Sequence, residues 1–254
     1  MSVIDLNDEI EVSKTVCLCK EDVSVKTIIV GFPGIGLIGS ISAKYIVREL
    51  GMHVSGYIRS PLIPPLAVFL DGILAYPYRI YTKKGLDVAV LIGESPAPVQ
   101  AYFYLANAVL DWANKVGAEE IICMDGFQDP FSVDKKEIYL VAEPDMKDKI
   151  DKYNLQKPET GYIGGLSGAI LNESILRSIN GFALLCGTAD VNLPDPIGAA
   201  NIIQVLNKIK NINVNTDSLH ADGEKIKKTM KEFADRTRMI GETPDNTDNS
   251  SFYT

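Results

Sequence analysis

Three short stretches of this chain are continuously apolar: Val-Ala-Val-Leu-Ile at residues 88–92, Ile-Ile-Cys-Met at 121–124 and Phe-Ala-Leu-Leu-Cys at 182–186. A strand with one wet face alternates apolar and polar residues, so runs without alternation belong to strands covered on both sides. The β-branched run at 27–30 is a fourth strand of this kind. Helical spacing fills the gaps. Ile38, Ile41, Tyr45, Ile46 and Leu50 follow the first strand, and residues 99–116, 166–179 and 199–209 follow later ones, with Ile202, Leu206 and Ile209 on one stripe. Strands alternating with helices predict an α/β fold of three layers, αβα, with a mostly parallel central sheet.

Residues 54–58 and 67–70 read as strands separated by the breaker Pro61-Leu-Ile-Pro64-Pro65. Residues 76–81 pair with 86–92 as a hairpin across Lys83-Lys84-Gly85. Residues 137–141 read as an added strand and 143–162 as a short helix with a loop. From Leu219 onward, Ile226, Phe233 and Ile240 recur every seventh residue with Met230 between them, which predicts an amphipathic helix. Residues 241–251 contain no apolar side chain, as a flexible linker requires, and Phe252-Tyr253-Thr254 follow. The expected organisation is an α/β domain over residues 1–216, a helix over 217–240 and a tail over 241–254.

With 25 basic against 33 acidic side chains the formal charge is -8, a field that repels phosphate backbones and anionic lipid. Nucleic acid and membrane are therefore not expected partners. Within that total, residues 225–238 are locally basic, with six Lys and Arg against two acids. The early acids Asp5, Asp8, Glu9, Glu11, Glu21 and Asp22 do not suit a secretory signal, and no apolar window spans a bilayer, so a soluble cytoplasmic protein is expected. Cys17, Cys19, Cys123 and Cys186 form no CxxC pair and read as reduced, buried strand residues rather than metal ligands.

Gly34-Ile-Gly36-Leu-Ile-Gly39 matches GxGxxG between a strand and a helix, the setting in which backbone amides and a helix N-terminus cradle a pyrophosphate. The acid that would bind a ribose about twenty residues on is missing, since that region reads His53-Val-Ser-Gly-Tyr-Ile-Arg59. Bulky Ile35, Leu37 and Ile38 favour the other use of such a turn, close packing of helix on strand. At the carboxyl ends of the central strands stand Glu94, Asp125, Asp190 and Thr188, where doubly wound folds bind ligands. No histidine, cysteine or lysine joins them in sequence, Ser95 and Ser167 lack a GxSxG context, and His53 and His220 lie near no candidate nucleophile. The reading as a nucleotide- or nucleoside-binding enzyme, using the 34–39 turn and these acids, is therefore an alternative. No catalytic residue, metal or cofactor is assigned.

Phe252-Tyr253-Thr254 gives the main reading. Two aromatics beyond a polar linker are suited to fill a partner's pocket, where the Tyr hydroxyl sets orientation and the Thr254 carboxylate offers an anion. Several such tails on one oligomer would gain through effective concentration. A further reading takes the basic faces of the 219–240 helix as a scaffold for an unrelated partner.

Gly31-Phe-Pro-Gly-Ile-Gly-Leu-Ile-Gly39, Gly93-Glu-Ser95, Gly161-Tyr-Ile-Gly-Gly165 and Pro194-Asp-Pro-Ile-Gly-Ala-Ala200 together resemble the proteasome assembly chaperone family in its archaeal form, over roughly residues 15–210. The resemblance implies a nucleoside-phosphorylase-like α/β domain without the catalytic set of those enzymes, and homo-oligomers. The last three residues resemble the hydrophobic-Tyr-X tail that engages pockets between α subunits of the 20S proteasome. By that resemblance Phe252 and Tyr253 line the pocket and the Thr254 carboxylate meets a pocket lysine. The expectation is a non-enzymatic chaperone or ATP-independent activator.

Overall fold

The computed structural model describes residues 14–132, 136–144, 155–189 and 191–219, with residues 146, 151, 153 and 232. Strands β1 (Val16–Cys19), β2 (Thr27–Gly31), β3 (His53–Arg59), β6 (Tyr78–Thr82), β7 (Val88–Gly93), β8 (Glu120–Gln128), β9 (Ile138–Ala142) and β10 (Asn180–Thr188) form one sheet in the order β1-β3-β6-β7-β2-β8-β10-β9. Helices α1 (Ile38–Glu49), α2 (Tyr102–Val116), α3 (Gly165–Arg177) and α4 (Pro196–Lys210) cover it.

The continuous apolar runs become the sheet's centre. In β2, Ile28 and Val30 face α2 and α3, packing with Leu105, Val109, Trp112 and Ile170. Ile29 between them faces α1 and α4, packing with Ile41, Ile46, Ile202 and Leu206. Both faces are dry, which is why the sequence does not alternate. Each fully buried Ile or Leu contributes about 1.5–3 kcal/mol of transfer free energy, so these two layers hold the molecule together.

Strands β7, β2, β8 and β10 run parallel, as expected. The wings run antiparallel: β9 on β10 at one side, and β6, β3 and β1 in succession beyond β7 at the other. The sheet is thus mixed, because β6 joins β7 through the short Lys83-Lys84-Gly85 turn, and a connection that short permits only an antiparallel pair. The strand expected at 67–70 forms as β4 (Val68–Leu70), but it pairs with β5 (Ile73–Ala75) in a separate ribbon outside the main sheet.

Cys17 and Cys19 lie in β1, and all four cysteines are free thiols. Trp112 Nε1 donates to Cys19 Sγ at 3.0 Å, tying α2 to the edge strand. No helix of the described residues is long and apolar enough to cross a membrane. The expected helix at 217–240 and tail at 241–254 lie outside the described residues, except for residues 217–219 and 232. Leu219 is fully buried in the α1 and α4 layer, and Tyr45 and Ser218 share a hydroxyl hydrogen bond of 2.6 Å. Residues 218 and 219 are therefore held on that face.

Candidate functional site at the carboxyl edge of the sheet

The glycine turn sits above the carboxyl ends of β2 and β8. A 3-10 turn at Ile35–Leu37 leads into α1, and Gly36 and Leu37 both take positive φ, 63° and 50°. Closeness to protein sets the composition. A side chain at Gly39 would begin 2.2 Å from the Met124 carbonyl oxygen, and one at Gly31 2.3 Å from Ala43 Cβ, so α1 lies directly on the strands. A side chain at Gly34 would begin 2.2 Å from Asp125 Oδ1, and one at Gly126 2.3 Å from the Ile35 carbonyl oxygen. Asp195 N–H donates to the Gly36 carbonyl at 2.8 Å. The turn thus packs on Asp125, Gly126 and Asp195 of its own chain. A carboxyl group stands against it where a pyrophosphate would need only donors.

Glu94 and Asp125 are both engaged within the fold. Glu94, buried, accepts from Arg79 at Oε1 and from Lys44 at Oε2. A lysine therefore does join the group, which corrects the reading from sequence. Lys44 lies on α1, fifty residues away, and meets Glu94 only because α1 crosses β7. Asp125 accepts from its neighbour Gly126 N–H at 2.8 Å and from Ser167 Oγ at 2.8 Å, so the α3 serine serves as its partner. Burial pushes the Asp125 carboxyl up to about 6, against the pull of those two hydrogen bonds. Thr188 is buried at the end of β10, and its carbonyl accepts from Asp129 N–H at 2.9 Å. Asp190 lies outside the described residues.

Sequence reasoning passed over Asp195. Its Oδ1 accepts from Gly198 N–H at 2.9 Å as the N-cap of α4, with Pro196 following at the first helical position, and its Oδ2 holds Lys136 at 2.5 Å. The signal was present, since Asp-Pro-x-Gly before an apolar run is a helix start. Ser95 is buried, and its Oγ has no hydrogen-bond partner among the described residues. His53 is on the surface beside Glu21, far along β3 from these groups, and His220 lies outside the described residues. So do Phe252, Tyr253 and Thr254.

The Gly161-Tyr-Ile-Gly-Gly165 motif serves another part of the edge. With β9 and α3 it borders an open cavity of about 1060 Å³ lined by Tyr139, Val141, Tyr162, Leu171 and Ile175. No acid of the Glu94, Asp125 and Asp195 set lines it.

Known proteins share this architecture. An uncharacterised protein of Methanocaldococcus jannaschii is 29% identical over 217 residues, which cover 82% of this chain and 85% of that protein. The crystal structure of Pyrococcus furiosus PbaA, an archaeal homolog of proteasome-assembly chaperone, superposes with a TM-score of 0.82 at 27% identity, covering 90% of this chain and 100% of that one. Pyrococcus furiosus PbaB, an archaeal proteasome activator, shares the fold with a TM-score of 0.72 at 21% identity, covering 91% and 100% of the two chains. The PAC2 family model matches residues 28–234, and the chain belongs to the PAC2 family.

Proposed function

We propose that this protein is a non-enzymatic, proteasome-related chaperone or activator. In this reading it forms homo-oligomers and docks Phe252, Tyr253 and Thr254 into pockets of the 20S proteasome α ring. The observation that carries the reading is the isolated Phe-Tyr pair followed by Thr254, beyond eleven residues with no apolar side chain, in a member of the PAC2 family. The likeness to PbaA, a homolog of proteasome-assembly chaperone, supports the choice of partner. A structural role for the edge is supported by its carboxylates, which neutralise Lys44, Arg79 and Lys136, cap α4 and support the glycine turn. The domain organisation follows: a body to residue 216, a helix over 217–240 and a docking tail over 241–254.

The test is co-sedimentation and native-gel shift with proteasome α subunits, comparing the full chain with one lacking residues 252–254. Binding by the full chain and its loss on truncation is the expected result. Equal binding by both would remove the tail from the mechanism, and no binding by either would remove the proteasome.

A further inference from the structure

Among the described residues the ribbon β4–β5 pairs with no strand of the main sheet. Asp71 and Gly72 both take positive φ, 49° and 79°, the two-residue turn that matches the twist of a hairpin. A two-stranded ribbon alone is marginal in water, yet beyond buried Val68 and half-buried Ala75 this one turns its side chains outward. The facing pair Phe69 and Leu74 is 61% and 79% exposed, and on the opposite face Ile73 is 72% exposed at the tip. Residues 60–78 carry a single charge, Asp71.

The ribbon's root is fixed beside the start of α2. Glu94 N–H donates to the Pro77 carbonyl at 2.8 Å, Tyr78 donates its hydroxyl to the Ser95 carbonyl at 2.8 Å, and Ile63, Ala97 and Tyr102 all pack against the core layer of α2 and α3. From there Val99, Phe103 and Tyr104 are all exposed, and residues 95–110 carry no charge at all. A helix face turned to water is normally charged, and α2 becomes so only from Asp111 onward. Ribbon and helix start are thus two exposed apolar segments that share one root and hold, in their own sequence, no charge but Asp71.

We propose that the β4–β5 ribbon and the first turns of α2 form the surface through which this chain binds a second copy of itself. The inference rests on the homo-oligomer reading above and gives it an interface. Charge selects the occupant. Copies that each carry -8 repel one another over most of their surface, and this patch is where they meet with only Asp71 to oppose itself. A partner of the opposite charge would be drawn to the acidic surface and gain nothing from a neutral one. Among the described residues the ribbon also leaves both outer edges unpaired, and a second copy offers a strand edge to extend it and an apolar α2 face to cover it. Association there would present several tails together.

The experiment is sedimentation velocity with light scattering on the full chain, its Phe69→Glu, Leu74→Glu double variant and an exposed-site control, Lys84→Glu. The original chain and the control are expected to sediment as one oligomer. The double variant, with unchanged circular dichroism, is expected to associate at least tenfold more weakly. If the double variant fails to fold, Phe103→Ser, Tyr104→Ser, which leaves the ribbon intact, is read in the same way. A folded variant that keeps the original mass overturns this interface while the oligomer reading stands. A monomeric original chain overturns both. Removal of residues 252–254 leaves the mass unchanged, so the tail is tested separately.

Discussion

Asp125 Oδ1 occupies the place where a side chain on Gly34 would begin, 2.2 Å from its Cβ position. The backbone at Gly34 is extended, φ -146° and ψ -162°, so any residue could adopt it, and the glycine is required by contact alone. Asp125 is held by Gly126 N–H and Ser167 Oγ and cannot yield without breaking those bonds. Gly34→Ala should therefore destabilise by about 1–3 kcal/mol, the usual cost of overpacking. In the Asp125→Ala background the same substitution should cost much less, a coupling that chemical denaturation of the four proteins would measure.

The raised pKa of Asp125 sets a pH dependence. The native state keeps this proton up to about pH 6, whereas the unfolded chain releases it near pH 4, so the native state binds more protons in between. Stability contributed by this group is then present at low pH, falls as pH rises through that window and stays low above it. Asp125→Asn should remove this dependence and stabilise the protein at pH 8 by up to about 3 kcal/mol, with little gain near pH 4. Urea denaturation at the two pH values checks it.

Glu94 holds two cations, and Arg79 among them is almost fully buried. Glu94→Gln should destabilise by about 3–5 kcal/mol, because it leaves a buried guanidinium without its counter-charge. Replacing both partners, Glu94→Leu with Arg79→Met, should recover most of the loss. Thermal unfolding of the single and double variants distinguishes an ion pair needed for stability from one that is merely satisfied.

Asp195 caps α4 and neutralises Lys136. Asp195→Asn keeps a capping oxygen and loses the charge, whereas Asp195→Ala loses both, so the alanine variant should be the less stable by about 1 kcal/mol. Denaturant titration of the pair measures the difference.

If the tail docks as proposed, Tyr253→Ala should weaken co-sedimentation with proteasome α subunits by tenfold or more, since buried aromatics anchor such contacts. Ser250→Ala in the linker should change it little. A gradient of salt should have a modest effect on a contact carried by aromatic burial.

The order of strands and helices was determined locally. Apolar runs without alternation at 27–30, 88–92, 121–124 and 182–186 marked the covered strands, and 3.6-residue spacing marked the helices between them, because burial acts on each segment's own pattern. The close-packing role of the glycine turn was legible from its bulky neighbours Ile35, Leu37 and Ile38. The Asp71-Gly72 hairpin is also written locally, as a two-residue turn signal between apolar residues.

Only the tertiary structure decided what the acids do. Lys44, Arg79, Ser167 and Lys136 are distant in sequence from their partners and carry no mark that assigns them. They meet because parallel strands bring the ends of separate segments to one edge, and the helices then cross those ends at fixed places. A hydrogen bond or ion pair depends on ångström-scale position, which the hydrophobic pattern of a single segment does not contain. The pattern fixes which face of a segment is dry, and the assembled layers fix which polar groups at their rim must satisfy one another.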